Sequence, residues 1–267
     1  MAANARGDNF SGVILACAVG NTRTRAGLFR GEELVAARSA LNTDPAELRS
    51  VLAELMRETS ASDAVPVIAG VNPRALEAAA TAMGEAAERG VLRIGDDLPV
   101  PLTHTLTDAS TLGQDRALCA LAAAKRAEQA CVVVDAGTAI TVDFIDGEGV
   151  FHGGVIAPGL RMMLKSLHTG TGALPDLDFE APEDAEGPYG KSTRHAMLLG
   201  VVHAAKGLVR YTVERFAETY QAYPQIIATG GDAPTLFEND EVVEHIVPDL
   251  QLMGILEACK AATPEAE

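Results

Sequence analysis

Val132-Val133-Val134-Asp135-Ala136-Gly137-Thr138-Ala139-Ile140-Thr141-Val142-Asp143 carries the strongest indication of the fold in this chain. Its β-branched apolar start predicts a buried strand, which ends at a carboxylate and turns at a Gly-Thr pair. After the turn, polar and apolar residues alternate, which indicates a returning strand. Such a hairpin places Asp135 and the Thr138 hydroxyl at one edge of a sheet, where they could meet a metal-bound phosphate. An ordinary hairpin with a Gly-Thr turn has the same pattern, so one copy alone does not decide between the two interpretations.

A near-copy of this hairpin occurs close to the start of the chain. Val13 to Val19 is again an apolar strand, Gly20-Asn21-Thr22 is its turn, and Arg25 to Phe29 returns. Two strand–glycine–threonine–strand units at the start of each half of the chain suggest a duplicated fold. A third glycine turn, Thr229-Gly230-Gly231, follows another apolar strand late in the sequence.

Six motifs, in this order along the chain, resemble those of type III pantothenate kinases, members of the actin, Hsp70 and sugar-kinase superfamily. They are Gly113-Gln114-Asp115-Arg116, the Asp135-Ala136-Gly137-Thr138 turn, Gly153-Gly154-Val155-Ile156-Ala157-Pro158-Gly159, Gly190-Lys191-Ser192-Thr193, Thr229-Gly230-Gly231, and the stretch from Val247 to Gly254. The three glycine turns resemble that superfamily's phosphate-1, phosphate-2 and adenosine loops. The resemblance covers roughly residues 12 to 260.

The resemblance implies an α/β protein with two duplicated ribonuclease H-like (actin-like ATPase) domains. Each domain would have a mixed central sheet flanked by helices, and the active site would lie in the cleft between them. We expect a disordered extension over 1–11, an N-terminal domain over 12–118, a C-terminal domain over 119–262 and a tail over 263–267. Alternation of strands and helices in the first half predicts parallel pairing with helices on the sheet faces.

Further elements follow from local patterns. Asp44-Pro45-Ala46-Glu47 predicts a helix start in which Asp44 caps and Glu47 completes a capping box. Longer helices are predicted over 115–130, which would contain the hinge, and over 160–167, 193–220 and 251–261. We expect a strand over 242–247, a loop without periodicity over 99–111, and an acidic segment over 176–187 that is a surface loop or a lid.

The activity that the resemblance implies is ATP-dependent phosphorylation of pantothenate to 4'-phosphopantothenate, the first step of coenzyme A biosynthesis. Asp115 would be the base for the pantothenate hydroxyl, and Gly113, Gln114, Arg116 and Thr193 would contact pantothenate. A guanidinium at Arg116 suits a carboxylate because it can donate two parallel hydrogen bonds. Without the resemblance, the Asp115-Arg116 pair would more simply be a helix-start aspartate beside a solvated arginine.

The nucleotide side of the implied site combines all three turns. ATP would be bound by Ala18, Val19, Gly20, Asn21, Thr22, Arg23, Thr24, Arg25, Thr138, Gly230 and Gly231. Asp135 would hold the monovalent cation, potassium or ammonium, that type III enzymes require. The resemblance also implies Mg-ATP as cofactor and a homodimer.

The sequence departs from the family pattern at two positions. Where the family's first phosphate loop carries an aspartate two residues before its glycine, this chain has Ala18. Where the family usually has a substrate-binding tyrosine, seven residues before Gly113, it has Leu106. Two alternatives therefore stay open: a catalytically impaired relative that binds a ligand or regulates, and a kinase for another small hydroxy acid or sugar.

Composition narrows the range of partners. With 21 basic and 37 acidic residues, the chain of 267 residues has a formal net charge of −16. No basic patch is evident, which argues against a nucleic-acid partner. The four cysteines lie in apolar runs without metal spacing and are expected to be small buried hydrophobes in a reducing cytoplasm. No apolar run reaches the ~20 residues of a membrane helix, so we expect a cytoplasmic protein with no membrane partner.

Overall fold

A computed structural model describes residues 12–59, 63–182 and 187–263 of the chain. The predicted extension over 1–11, most of the predicted tail and part of the acidic loop lie outside these residues. Within the described part, no helix combines the length and the hydropathy that crossing a membrane requires. The chain divides into two compact units, each built on one five-stranded sheet.

The first unit comprises the described residues up to Leu102, Ser110–Ala122 and those from Asp249 onward. Its sheet has the order β3-β2-β1-β4-β5, with β1 antiparallel to β2 and parallel to β4. Its elements are β1 (Val13–Val19), β2 (Arg23–Arg30), β3 (Glu33–Leu41), α1 (Pro45–Thr59), β4 (Val65–Gly70), α2 (Pro73–Ala87), β5 (Leu92–Arg93), the first part of α3 (Gln114–Ala127), and α7 (Leu250–Ala262).

The second unit comprises Thr103–Ala109 and Ala123–Pro248. Its sheet has the order β10-β9-β6-β7-β8, with β6 antiparallel to β7 and parallel to β9. Its elements are the end of α3, β6 (Cys131–Ala136), β7 (Ala139–Ile145), β8 (Phe151–Pro158), α4 (Leu160–Gly170), α5 (Thr193–Tyr220), β9 (Gln225–Thr229), α6 (Ala233–Phe237) and β10 (His245–Ile246).

The two sheets have the same topology. In each, a three-stranded antiparallel meander begins at the central strand, and two further strands extend the sheet in parallel on the other side. The predicted duplicated α/β fold, with mixed sheets flanked by helices, is confirmed.

Successive side chains of β1 belong alternately to two apolar clusters, one on each face of its sheet. Leu15, Cys17 and Val19 pack in a cluster with α1 and α2, whereas Ile14, Ala16 and Ala18 pack with α3 and α7. Because successive side chains of a strand point to opposite faces, a strand buried on both faces is apolar throughout. All four cysteines are free and buried as predicted, and burial raises the pKa of the Cys17 thiol to about 12.

The compact units divide the chain differently from the predicted boundary at 118/119. Helix α7 groups with the first unit, although the sequence analysis counted it with the second half. The physical reason is its apolar stripe, in which Leu252, Ile255 and Leu256 pack in one cluster with residues of β1 and β4. The predicted loop over 99–111 also divides, because Thr103–Ala109 belongs to the second unit.

Several predicted elements have different bounds in the structure. Helix α5 spans Thr193–Tyr220 as predicted, but the strand expected over 242–247 shortens to His245–Ile246. At the start of α1, the Asp44 side chain accepts hydrogen bonds from the N–H groups of Ala46 and Glu47, as predicted. Glu47 does not complete a capping box, because its carboxylate accepts from the N–H of Leu41 and the Asp44 N–H donates to the Leu41 carbonyl.

A buried carboxylate ties helix α5 to the segment after α6. Asp240, whose side chain is 3% exposed, accepts from Lys206 Nζ at 3.1 Å and from the Val242 N–H at 3.0 Å, and Arg210 lies at 3.6 Å. Burial opposes ionisation, but the backbone amide and the two cations outweigh it and hold the pKa of Asp240 below its usual value. The charged form of Asp240 therefore stabilises the fold.

Asp240→Asn should lower the free energy of unfolding at pH 7 by about 1–3 kcal/mol, because it removes a charge-assisted hydrogen bond. A depressed folded-state pKa gives stability that is present above the unfolded-state pKa, about 3.9, and is lost as pH falls below it. Urea unfolding between pH 7 and pH 3 should show that the free energy of unfolding falls less on acidification in the variant than in the wild type. The exposed neighbour Glu241→Gln is the control, and equal pH profiles for Asp240→Asn and the wild type would contradict the assignment.

Candidate functional site

The first predicted phosphate loop is a closed turn at the end of β1. The Gly20 N–H donates to the Arg23 carbonyl at 2.9 Å. Asn42 supports the turn from the segment after β3: its Nδ2 donates to the Gly20 carbonyl at 2.8 Å, and its Oδ1 accepts from the Thr24 hydroxyl at 2.9 Å. Asn42 was not among the predicted site residues, because the pairing of β2 with β3 is what brings it to this loop.

Ala18 lies on the sheet directly opposite Arg25. Paired residues of antiparallel strands present their side chains on the same face. Ala18 is 4% exposed within an apolar cluster, and Arg25 Nε donates to Asp249 Oδ1 at 2.6 Å. This edge therefore carries a methyl group beside a guanidinium–carboxylate pair. Asp249 begins the turn into α7 and was part of a quoted motif, but it had no predicted role.

Arg23 and the residues around it face the solvent side of the same loop. Asn21, Thr22 and Arg23 are exposed, and Arg23 Nη1 lies 3.5 Å from Ser39 Oγ on β3. The Asn72 Nδ2, at the start of α2, lies 3.5 Å from the Asn21 carbonyl. The loop is thus bordered by β3 on one side and by the start of α2 on the other.

Gln114 connects the acceptor motif to the first sheet. Its Oε1 accepts from the Gly70 N–H at 3.1 Å at the end of β4, and its Nε2 donates to the Ile94 carbonyl at 2.8 Å. Both ends of the amide are therefore engaged with backbone. This geometry suits a residue that positions the start of α3, whereas the sequence analysis predicted that Gln114 contacts the substrate.

Asp115 occupies the first turn of α3 and is half-buried. Its Oδ1 accepts from the Arg116 N–H at 2.8 Å. A Cβ built on Gly113 would overlap that same Oδ1, so a side chain at this position would displace the carboxylate from where it lies. Local backbone geometry thus holds the Asp115 carboxylate beside the motif that precedes α3.

In the second unit, Asp135 and Gly230 lie against each other. Asp135 is the penultimate residue of β6, and Thr229, its partner in the parallel register, ends β9 immediately before Gly230. Gly230 has φ +91°, and a Cβ built on it would overlap both Asp135 Oδ1 and the Ala136 carbonyl. A Cβ on Gly137 would lie 3.9 Å from Asp135 Oδ1. Two of the predicted loops therefore meet at one carboxylate.

Thr138 is exposed at the tip of the β6–β7 hairpin, next to the start of α4. The Gly137 N–H donates to the Ala139 carbonyl at 2.9 Å, and the Gly159 N–H donates to the Thr138 carbonyl at 3.0 Å. Gly159 is the N-cap of α4. The hairpin turn and the glycine-rich motif thus form one backbone-bonded edge.

An ion pair next to this edge was not predicted. Arg161 Nη1 donates to both carboxylate oxygens of Asp232 at 2.9 Å, and the Asp232 side chain is 6% exposed. The Asp232 N–H donates to the Ala136 carbonyl at 2.9 Å, and the Arg161 guanidinium lies 5.9 Å from the Phe179 ring centroid. The pair fixes the residue after Gly230-Gly231, and nothing in the spacing of Arg161 and Asp232 signalled it.

Thr193 is the first residue of α5 and is exposed. Ser192 caps the helix, since its side chain accepts from the His195 N–H at 3.1 Å. Gly190 packs so closely on Ala196 that a Cβ there would meet the Ala196 backbone N at 2.9 Å. The predicted Gly190–Thr193 motif is therefore a helix start whose side chain at Thr193 remains accessible.

The Asp135 carboxylate is the type of ligand that suits a hard cation. Carboxylate, hydroxyl and carbonyl oxygens are the ligands that magnesium and monovalent cations prefer. Gly137 and Gly230, the glycines next to the Asp135 carboxylate, have no side chains that could cover it. Among the described residues, no group of three or more His, Cys, Asp and Glu is placed to hold a metal alone.

Sequence comparisons identify relatives over nearly the whole chain. The type III pantothenate kinase of Syntrophotalea carbinolica is 29% identical over 250 residues, which cover 91% of this chain and 96% of the relative. That of Chlorobium luteolum is 33% identical over 242 residues, covering 88% and 89%. A shorter alignment, 42% identical over 146 residues, joins this chain to that of Rhodopirellula baltica and covers 54% and 51%.

Solved structures share the fold. A Campylobacter jejuni protein described as a Baf family transcriptional activator has a TM-score of 0.54 at 20% identity and covers 93% of this chain and 98% of its own. The activator of 2-hydroxyisocaproyl-CoA dehydratase from Clostridium difficile has a TM-score of 0.51 at 16% identity, covering 94% of each. The sequence profile named "Type III pantothenate kinase" matches residues 14–215. The chain therefore belongs to the type III pantothenate kinase family.

Proposed function

We propose that this protein transfers the γ-phosphoryl group of ATP to pantothenate, the first step of coenzyme A biosynthesis. The pantothenate hydroxyl oxygen forms the new bond to phosphorus, the bond from that phosphorus to the ADP oxygen breaks, and Asp115 takes the hydroxyl proton. The carrying observation is the Asp115 carboxylate, held over Gly113 at the start of α3 by the Arg116 N–H. Family membership supports the substrate.

Binding of the acceptor is assigned to the residues around Asp115. Arg116 recognises the pantothenate carboxylate, for which a planar guanidinium provides two parallel hydrogen bonds. Gly113 leaves space for the Asp115 carboxylate, and Thr193, exposed at the start of α5, supplies a hydroxyl. Gln114 acts indirectly, because both ends of its amide bind backbone.

Binding of ATP is assigned to the glycine turns. Gly20-Asn21-Thr22 and Thr138 contact phosphates through backbone N–H groups and hydroxyls, and Gly230-Gly231 lets the backbone approach the adenosine. Asp135 holds a potassium or ammonium ion beside them. Magnesium, when bound with ATP, neutralises charge on the phosphates during transfer. The acting form is a cytoplasmic homodimer in this proposal.

A coupled assay for ADP, with purified protein, Mg-ATP, pantothenate and potassium, tests the proposal. We expect phosphopantothenate, identified by mass spectrometry, and loss of turnover when sodium replaces potassium. Parallel reactions with a neutral sugar and with other hydroxy acids test the acceptor class, because a neutral acceptor gains little from Arg116. No product above a blank without enzyme would reject the proposal, and preference for a neutral acceptor would reject pantothenate.

One observation favours a second candidate function, that of a ligand-binding or regulatory relative with impaired catalysis. Ala18 places a buried methyl group where the family has a carboxylate, and the neighbouring Arg25 is paired with Asp249. Because positioning and charge stabilisation are most of the catalysis in phosphoryl transfer, the loss of that carboxylate can reduce the rate strongly.

Ala18→Asp should raise kcat by at least about tenfold, because it restores a charged ligand at the phosphate loop. Ala18→Asn, similar in size to aspartate but uncharged, is the matched control. Steady-state kinetics and calorimetric titration of ADP with and without magnesium measure the effect. Activity only in Ala18→Asp would support the second candidate. Equal turnover in the wild type and both variants would show that Ala18 does not limit the rate.

A further inference from the structure

A short extended segment, Thr103–Leu106, lies along the edge strand of the second sheet; we call it the strap. The Phe151 N–H donates to the Thr103 carbonyl at 2.8 Å, and the Thr105 N–H donates to the Phe151 carbonyl at 3.0 Å. His104 and Phe151 form a parallel bridge. The strap thus extends the sheet of the second unit beyond β8. The chain before it, up to Leu102, and the segment Ser110–Ala122 after it belong to the first unit.

Three side chains join the strap to β8 by a chain of hydrogen bonds. His152 Nε2 lies 2.7 Å from Asp146 Oδ2, and His152 Nδ1 lies 3.2 Å from Thr105 Oγ1. A carboxylate only accepts, so Nε2 carries the proton and donates to Asp146. In the neutral ring, Nδ1 then accepts from the Thr105 hydroxyl. The direction of the first bond follows from the ionised state of Asp146, and the direction of the second is that of the neutral ring.

The surroundings of these three side chains keep the Asp146 carboxylate ionised and the His152 ring in place. Burial opposes ionisation, but the bond from His152 and the N–H groups of Val150 and Glu148 together hold the pKa of Asp146 below its usual value. The Phe144 ring packs against the His152 ring, with centroids 5.7 Å apart. His152 is therefore oriented by a carboxylate on one side and an aromatic ring on another.

The strap ends at Leu106, which packs over Gly153. Gly153 has φ +94°, and a Cβ built there would lie 3.1 Å from Leu106 Cδ2. Leu106 is half-buried, and it precedes the acceptor motif Gly113–Arg116 by seven residues. The hydrogen bond between Thr105 and His152 and the contact between Leu106 and Gly153 thus fix two adjacent residues of the strap to two adjacent residues of β8.

We propose that His152 is a positioning residue for the acceptor substrate. By holding Thr105 it fixes the strap on β8, sets the place of Leu106 and restrains the short chain segment that leads to Gly113–Arg116. This inference rests on the proposed function, since it concerns the chain segment that leads to the proposed base Asp115. The role is indirect, because His152 acts through Thr105 and not on the reacting atoms.

Thr105→Val and Thr105→Ser separate the hydroxyl from the shape of the side chain. Valine keeps the β-branch and removes the hydroxyl, whereas serine keeps the hydroxyl. In Thr105→Val we expect the KM for pantothenate to rise about tenfold, the equivalent of one hydrogen bond, with the KM for ATP and kcat within about twofold of the wild type. Thr105→Ser should restore the wild-type KM. His152→Phe, which keeps an aromatic ring against Phe144, should match Thr105→Val.

Amide hydrogen exchange gives a readout that does not depend on activity. In Thr105→Val and His152→Phe, the backbone N–H groups at position 105 and of Phe151 should exchange at least about tenfold faster, while those of β6 stay unchanged. Unchanged exchange would overturn the positioning role even if the wild type proved inactive toward pantothenate. Faster exchange with an unchanged KM for pantothenate, in a protein that phosphorylates it, would overturn the link to the acceptor.

Discussion

Asp115→Asn should lower kcat for pantothenate phosphorylation by about 10²- to 10⁴-fold, the usual contribution of a positioned general base. Asparagine keeps the shape of the side chain and an oxygen that can accept from the Arg116 N–H, as Asp115 Oδ1 does at 2.8 Å. The start of α3 should therefore fold normally. The variant loses the negative charge of the carboxylate and with it the ability to accept the hydroxyl proton.

Steady-state kinetics with varied ATP and varied pantothenate measure this effect, and thermal unfolding checks the fold. The KM for ATP and the midpoint of unfolding should stay close to those of the wild type. Asp96→Asn, which removes an exposed carboxylate from the same unit, is the matched control and should keep full activity. If kcat of Asp115→Asn fell by less than about threefold, another group would have to take the proton.

Gly230→Ala should weaken nucleotide binding by about 100-fold or more and destabilise the second unit by about 2–5 kcal/mol. Two effects add at this position. The backbone has φ +91°, which side chains rarely adopt, and the new Cβ would overlap the Ala136 carbonyl and Asp135 Oδ1. Relief of the overlap requires movement of Asp135, the predicted cation ligand.

Gly172→Ala provides the matched control for this prediction. It makes the same chemical change in the second unit, outside the predicted nucleotide loops, at an exposed position where a Cβ would meet nothing within 4 Å and where φ is not in the left-handed region. Calorimetric titration of ADP and urea unfolding of both variants separate the local overlap at Gly230 from a general effect of the added methyl group. Equal affinities in the two variants would remove Gly230 from the nucleotide site.

Much of the fold could be predicted because the decisive patterns are local. The β-branched run that ends at Asp135 and the periodicity from Thr193 to Tyr220 determine a strand and a helix by themselves. The placement of α7 could not be predicted in this way. Its apolar stripe fits either sheet, and only packing against β1 and β4 selects the first.

The same distinction between local patterns and distant contacts applies to the candidate site. Glycines such as Gly113 and Gly230 were identifiable because turns require them, and the structure shows a carboxylate against each. Asn42, Asp232 and Asp249 were not identified, since each acts through a partner that is distant in sequence. For Gln114 the motif identified the residue but not its contacts. Its two backbone hydrogen bonds indicate a supporting role.

The placement of α7 has a consequence for synthesis on the ribosome. The second unit is encoded between two parts of the first, so its sheet can form while one face of the first sheet still awaits Leu252, Ile255 and Leu256. Nascent chains stalled before residue 249 would leave that apolar face covered only by α3 and partly open to chaperones, and completion of the first unit follows only after α7 leaves the exit tunnel.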